Sequence, residues 1–285
     1  VFAVPLGIVA GIIFAFGDLT LFILWLVGAW FALNEFWILT GVANRKAIFP
    51  LTRLGEIAVL LIFFFSWKYP SGYNDILLAL LLPLFFIVQL FAHARGDRNF
   101  IREVAMVVLG VIYIGGLASF MFKLRHLQDA MELSGAVQFA DTGGFFTSGD
   151  IFHFAIFAAI ASFGSDTTAY LTGKFFGKTK LSPKISPKKT ITGLMGAMIG
   201  SATAVTLYAW LIGLVGQIQI HELIAFGALA AAFSQLGDLT VSAIKRESDF
   251  SDTGWIMGAH GGILDRCDGF IFALPATYIF FLLVL

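Results

Sequence analysis

Stretches such as Ala58–Phe65 and Leu77–Leu82 run apolar without a break and without alternation. Runs like these leave few folds open. A helix needs about 20 apolar residues to cross the hydrocarbon core, and backbone exposed to lipid must satisfy its own N–H and C=O groups. The chain offers about nine candidate spans, near 1–16, 19–41, 55–68, 75–92, 101–122, 151–172, 191–216, 222–244 and 269–285. An outer-membrane barrel would alternate lipid-facing and lumen-facing residues along each strand, and these runs do not. The expected fold class is an all-α polytopic integral membrane protein, a bundle of about nine transmembrane helices. The first and third segments are short, which predicts tilted, partial or truncated spans. Val1 stands where Met would, directly on an apolar stretch without a cleavable-signal pattern, and this predicts a missing N-terminal piece.

Composition agrees with a lipid-facing surface. Charged residues make up 13% of the chain and hydrophobic ones 59%, against about a quarter and about half in soluble domains. A formal net charge of zero argues against nucleic acid as a partner. Cys267 is the single cysteine, so no internal disulfide forms.

The basic residues are unevenly placed. Arg45, Lys46, Arg53, Arg95, Arg98, Arg102, Lys174, Lys178, Lys180, Lys184, Lys188, Lys189, Lys245, Arg246 and Arg266 fall in or beside alternate loops. Only Lys68, Lys123 and Arg125 fall on the other side, a split of 15 to 3 among the 18 basic residues. The positive-inside rule then puts the basic loops in the cytoplasm, with the N-terminus inside and the C-terminus outside. A plasma (inner) membrane, multi-pass location with the polar site open to the cytoplasm follows as the expectation.

Two polar stretches interrupt the apolar pattern. Gly173–Thr190 carries six lysines and no acid. A cytoplasmic anchor needs no more than that, but Gly173 and Gly177 permit close backbone approach and Pro183 and Pro187 stiffen the loop. Ser186, Lys188, Lys189 and Thr190 come just before a helix expected to start at Ile191. Helix N-termini bind phosphate, so a polyphosphate or an anionic lipid headgroup suits this place.

The second stretch runs from Ser242 to Asp268 and gathers Lys245, Arg246, Asp252, His260, Asp265, Arg266 and Asp268 around Gly261 and Gly262. In a helix beginning near Ile263, Asp265 and Asp268 share a face. Side-by-side carboxylates repel unless a cation lies between them, and oxygen-only ligands favour Mg²⁺. Further acids lie inside apolar segments: Glu35 beside Asn34, Asp166 and Asp238. Each is costly in lipid and should face the bundle interior. Asp238, Ser242 and Lys245 recur at helical spacing. An interhelical hydrogen bond to Ser or Thr would be the plain account of Asp166, and no partner for Glu35 can be named from sequence.

The pattern Ser242-x-Ile244-Lys245-Arg246, Asp252-x-Gly254, Gly258-x-His260-Gly261-Gly262-Ile263-x-Asp265-Arg266-x-Asp268 resembles the signature of the phosphatidate cytidylyltransferases (CDP-diacylglycerol synthases). The run Gly177-Lys178-x-Lys180-Leu181-x-Pro183-x-Ile185-Ser186-Pro187-Lys188-Lys189-Thr190 is similar to a second stretch of that family, as are Asp166 with Tyr170 and Gly237-Asp238. Ser251 stands where the family usually has Lys, and Met257 and Cys267 where it has other apolar residues. Loss of a positive charge at Ser251 bears on activity level more than on reaction type.

The resemblance implies that CTP and phosphatidate are joined to give CDP-diacylglycerol and pyrophosphate, with Mg²⁺ and a possible second metal ion as cofactors. It implies Asp238, Asp265 and Asp268 as metal ligands and Asp166 as a further metal or relay carboxylate. Lys188, Lys189, Lys245, Arg246 and Arg266 would neutralise phosphates, and His260, Gly261 and Gly262 would line the nucleotide loop. Ser186, Thr190 and Ser242 would contact substrate, and a homodimer is implied. The polar chemistry divides the chain into an N-terminal transmembrane region, 1–150, and a C-terminal catalytic region, 151–285. Two other classes stay open: a CTP-dependent polyprenol or phytol kinase, and a cation-coupled transporter using Glu35, Asp166 and Asp238. No internal repeat of the kind many transporters show is visible.

Overall fold

The computed structural model describes residues 18–42, 49–69, 74–94, 99–137, 153–250, 252–254 and 261–285. The helices are α1 Asp18–Leu39, α2 Phe49–Lys68, α3 Asn74–Ala94, α4 Phe100–Gly110 and α5 Phe120–Ser134, then α6 His153–Phe176, α7 Ile191–Leu211, α8 Ile220–Glu247 and α9 Leu264–Val284. A π-helical turn, Val111–Gly116, joins α4 towards α5. Among the described residues eight helical segments are long and apolar enough to cross a membrane, with Phe100–Ser134 counted as one of 35 residues. The protein is an all-α polytopic membrane protein.

The expected segment 1–16 lies outside the described residues, so eight spans stand where about nine were expected. The fifth span differs in length. The sequence placed its end at 122, with Lys123 and Arg125 in a loop, whereas the helix continues to Ser134. The extension is amphipathic and carries its own ion pair, Arg125 Nε to Asp129 at 3.1 Å. The lysine-rich stretch also differs from a plain loop. Lys180–Ser182 (β1) and Ser186–Thr190 (β2) pair antiparallel, Lys180 opposite Thr190 and Ser182 opposite Ser186. The expected helix start is met: α7 begins at Ile191, and the Thr190 side chain caps it by accepting from Gly193 N.

The chain gathers into two compact units. One takes Leu124–Ser242 and Asp268–Leu285 with the start of the chain to Leu21; the other takes Phe22–Lys123 and Ala243–Cys267. Each therefore holds part of α8 and part of α9.

In the first unit, helices approach closely because side chains are missing where they meet. A Cβ at Gly196 or Gly200 on α7 would collide with Thr172 or Thr168 on α6. One at Gly237 on α8 would strike the backbone carbonyl of Asp268 on α9. Without a hydrophobic drive between helices in lipid, such small-residue contacts supply the packing. Aromatic rings fill the remaining core: Phe154 stacks on Phe281 at 3.8 Å, Phe157 meets Tyr208 edge-on at 5.1 Å, and Phe226 stacks on Phe280 at 4.5 Å. The buried hydroxyls of Ser162 and Ser234 satisfy one another at 2.9 Å.

In the second unit α1, α2 and the π-helical turn enclose Leu33, Phe36, Trp37, Ile62, Phe63 and Ile114, all buried. Gly55 leaves room for Trp37, and Gly115 for Val59. Two polar pairs form inside this unit, Gln89 with Glu103 at 2.5 Å and Asn74 with Ser66 at 2.6 Å, while Trp37 Nε1, Asn74 Oδ1 and Gln89 Oε1 are buried without a hydrogen bond among the described residues. In so apolar a setting an unmade hydrogen bond is expensive.

Candidate active site

Polar side chains concentrate at two places, one in each unit. In the first unit a cavity of about 320 Å³ opens between α6, the hairpin, the start of α7 and α8. Its lining includes Asp166, Lys174, Lys188, Lys189, Thr190 and Asp238. Lys189 Nζ lies 2.8 Å from Asp238 Oδ2 and donates to the Gln235 carbonyl at 3.3 Å. Gln235 Nε2 donates to Asp166 Oδ1 at 2.9 Å, so the interhelical partner of Asp166 is an amide and not the Ser or Thr of the plain account. Ser242 Oγ donates to Asp238 Oδ1 at 3.2 Å, one helical turn on, as the spacing predicted.

The hairpin explains how two adjacent lysines reach this cavity. Thr190 is 5% exposed and ends β2 against α6. A Cβ at Gly173 would come within 3.0 Å of its hydroxyl, and one at Gly177 within 2.7 Å of its methyl. The two glycines let the strand return beside the helix that precedes it. Ser186 sits at the far end of the hairpin, opposite Ser182, and is not part of the lining. The helix N-terminus itself is partly occupied: Ile191 N bonds to Thr179 O at 3.0 Å, and Gly193 N to Thr190 Oγ1 at 3.1 Å. Anion attraction here rests on the lysines more than on free amides.

The second place lies where the loop after α8 meets the start of α9. Lys245 Nζ donates to Asp265 Oδ1 at 2.6 Å, and Thr253 N donates to Asp265 Oδ2 at 2.8 Å. Gly261 has φ +81°, a left-handed conformation natural to glycine. A Cβ there would lie 3.3 Å from Asp265 Oδ2 and 3.5 Å from Asp252 Oδ1, so both acids border that residue. Arg246, Arg266 and Asp252 have partners of their own. His260, with Ser251 and Met257, lies outside the described residues. Asp268 Oδ1 accepts from Gly269 N at 2.7 Å.

Sequence reasoning placed Glu35 facing the bundle interior but could name no partner for it. This side chain is 2% exposed, and its carboxylate accepts from Thr253 Oγ1 at 3.0 Å, Ile263 N at 3.0 Å and Leu264 N at 2.9 Å. The signal was present as a lone acid in an apolar helix, but the partners lie more than 200 residues away along the chain.

Among the described residues no group of three or more His, Cys, Asp or Glu side chains surrounds a single point. The cavity does hold two carboxylates, Asp166 and Asp238. An oxygen-only donor set of one or two carboxylates completed by substrate phosphates suits Mg²⁺.

Residues 1–284 match the model of the Cytidylyltransferase family. Similar proteins named phosphatidate cytidylyltransferase include the following three from bacteria. That of Bacillus subtilis (strain 168) is 31% identical over 296 residues, covering 98% of this chain and 96% of that protein. That of Staphylococcus saprophyticus is 30% identical, covering 85% of each. That of Staphylococcus haemolyticus (strain JCSC1435) is 30% identical over 71% of this chain and 68% of its own length.

Proposed function

The chain belongs to the cytidylyltransferase family, and from that premise we propose that it is a membrane-embedded phosphatidate cytidylyltransferase, converting CTP and phosphatidate to CDP-diacylglycerol and pyrophosphate. The observation that carries this reading is the meeting of Lys188, Lys189, Asp166 and Asp238 around one cavity. A phosphate oxygen of the lipid attacks the α-phosphorus of CTP. A new P–O bond forms, the bond to the β-phosphate breaks, and the electron pair leaves with pyrophosphate. The nucleophile is already anionic, so the barrier lies in bringing negative groups together and in stabilising the leaving group.

Lysines placed ahead of time meet that need without reorganising. Lys188 and Lys189 would take the phosphate oxygens of CTP, with Lys189 exchanging Asp238 for phosphate as the nucleotide enters. Asp166 and Asp238 would hold Mg²⁺, which when bound neutralises phosphate oxygens and orients them for displacement. By resemblance, Asp265 and Asp268 would serve divalent ions, Lys245, Arg246 and Arg266 the phosphates, and His260, Gly261 and Gly262 the nucleotide. The basic loops support a cytoplasmic opening in the plasma membrane, where CTP and a lipid headgroup can both arrive.

The test is product analysis with purified protein in lipid micelles supplied with CTP, phosphatidate and Mg²⁺. The expected result is CDP-diacylglycerol with equimolar pyrophosphate, lost on chelation. CTP left intact with phosphatidate but cleaved to CDP with polyprenol would replace the reading with a lipid kinase.

A further inference from the structure

Glu35 sits on α1, in the half of the chain that the signature pattern does not reach. Yet its carboxylate accepts three hydrogen bonds from the other half. Oε1 takes Ile263 N, and Oε2 takes Thr253 Oγ1 and Leu264 N. Ile263 N and Leu264 N are among the first amides of α9, whose partial positive charge favours an acid. Glu35 thus caps α9 from another helix and ties its first turn to Thr253, ten positions earlier.

Two glycines of the pattern make room for it. A Cβ at Gly254 would collide with Glu35 Oε1, and one at Gly262 with Oε2 and the Thr253 hydroxyl. Burying a carboxylate to 2% exposure is costly unless it is fully hydrogen-bonded. A site that merely filled space would not be built around an acid with glycines on both sides. The residues it fixes border those of the proposed reaction. Thr253 N holds Asp265 Oδ2, and Lys245 holds Asp265 Oδ1.

We propose that Glu35 is a positioning residue for cytidylyl transfer: it clamps Thr253 to the first turn of α9 and thereby sets the Lys245–Asp265 pair and the neighbouring Arg266. This deepens the functional reading above and rests on it. Misplacing catalytic groups by about 1 Å can cost on the order of 100-fold in rate, whereas loss of a purely structural contact would lower stability and leave turnover of the folded fraction unchanged.

The experiment compares wild type, Glu35→Gln, Gly254→Ala, Glu35→Asp and the Gly254→Ala/Glu35→Asp pair in detergent. Steady-state kinetics are read beside amide hydrogen exchange at 263–264. Glu35→Gln is expected to lower kcat by about 100-fold, to change KM for CTP and lipid by less than about threefold, and to speed exchange of the Ile263 and Leu264 amides. Gly254→Ala should show the same loss, and the shorter Asp should restore part of it by making room for the added methyl. If Glu35→Gln does not fold, the Gly254→Ala pair carries the test by itself. Unchanged kcat in folded Glu35→Gln, or no rescue in the pair, would overturn the proposal. Wild type without cytidylyl transfer would instead sink the functional reading, and the exchange data would still decide the clamp.

Discussion

Lys189 reaches from the end of β2 to Asp238 on α8 with a separation of 2.8 Å. The pair joins the lysine-rich hairpin to the acid-bearing helix across the cavity. Lys188, its neighbour, also lines the cavity but sits on the opposite face of the strand at that step. If the two lysines have different duties, substitution separates them. Lys188→Ala should raise KM for CTP about tenfold, the loss of one charge-assisted contact, with little change in KM for phosphatidate. Kinetics with each substrate varied in turn check this. An equal loss for both substrates would make Lys188 a general electrostatic attractor.

Under the proposed reading Asp238 would serve as a metal ligand. One oxygen meets Lys189 and the other accepts from Ser242, so the carboxylate is oriented before any ion arrives. Asp238→Asn keeps the shape and removes the charge. The Mg²⁺ concentration for half-maximal activity should rise by about tenfold or more, with the protein still extractable and monodisperse. A Mg²⁺ titration of activity measures it. An unchanged titration curve with lowered kcat would move the metal elsewhere and leave Asp238 as the partner of Lys189.

Gly237 precedes Asp238 in the pattern, and the structure gives its reason. The α8 backbone passes so near the Asp268 carbonyl on α9 that a methyl has no space. Backbone cannot swing aside as a flexible side chain can. Gly237→Ala should therefore cost about 1–3 kcal/mol by overpacking, read as a melting temperature lowered by several degrees in detergent. Gly28 on α1 has nothing near its Cβ position, so Gly28→Ala serves as the control and should leave the melt unchanged or raise it slightly.

What the sequence made legible was what depends on local pattern. Hydropathy located the long helices because lipid demands length and apolarity together. The start of α7 at Ile191 was legible because the apolar run follows the polar stretch directly in the chain. The hairpin was hidden: prolines and lysines over Lys180–Thr190 look like an anchor loop, and strand pairing depends on the return against Gly173 and Gly177. What Glu35 bonds to was hidden for a different reason. Its three donors are more than 200 residues distant, and two are backbone amides, which carry no sequence signature. The continuation of α5 to Ser134 was missed because charges at Lys123 and Arg125 mark the end of an apolar run without ending the helix.

Thr190 does two things with one side chain. Its hydroxyl accepts from Gly193 N and caps α7, while its methyl lies where a Cβ at Gly177 would be. Thr190→Val removes the cap and keeps the bulk, and should cost about 1 kcal/mol. Thr190→Ser keeps the cap and removes the methyl, and should stay close to wild type in stability. The order of melting temperatures is then wild type and Ser above Val. Because the cap fixes where β2 ends and α7 begins, Thr190→Val should also raise KM for CTP through the displaced Lys188 and Lys189, and Thr190→Ser should not. If Val melts as wild type does, the hydroxyl contributes nothing to α7; if it melts lower with an unchanged KM for CTP, the cap holds the helix without placing the lysines.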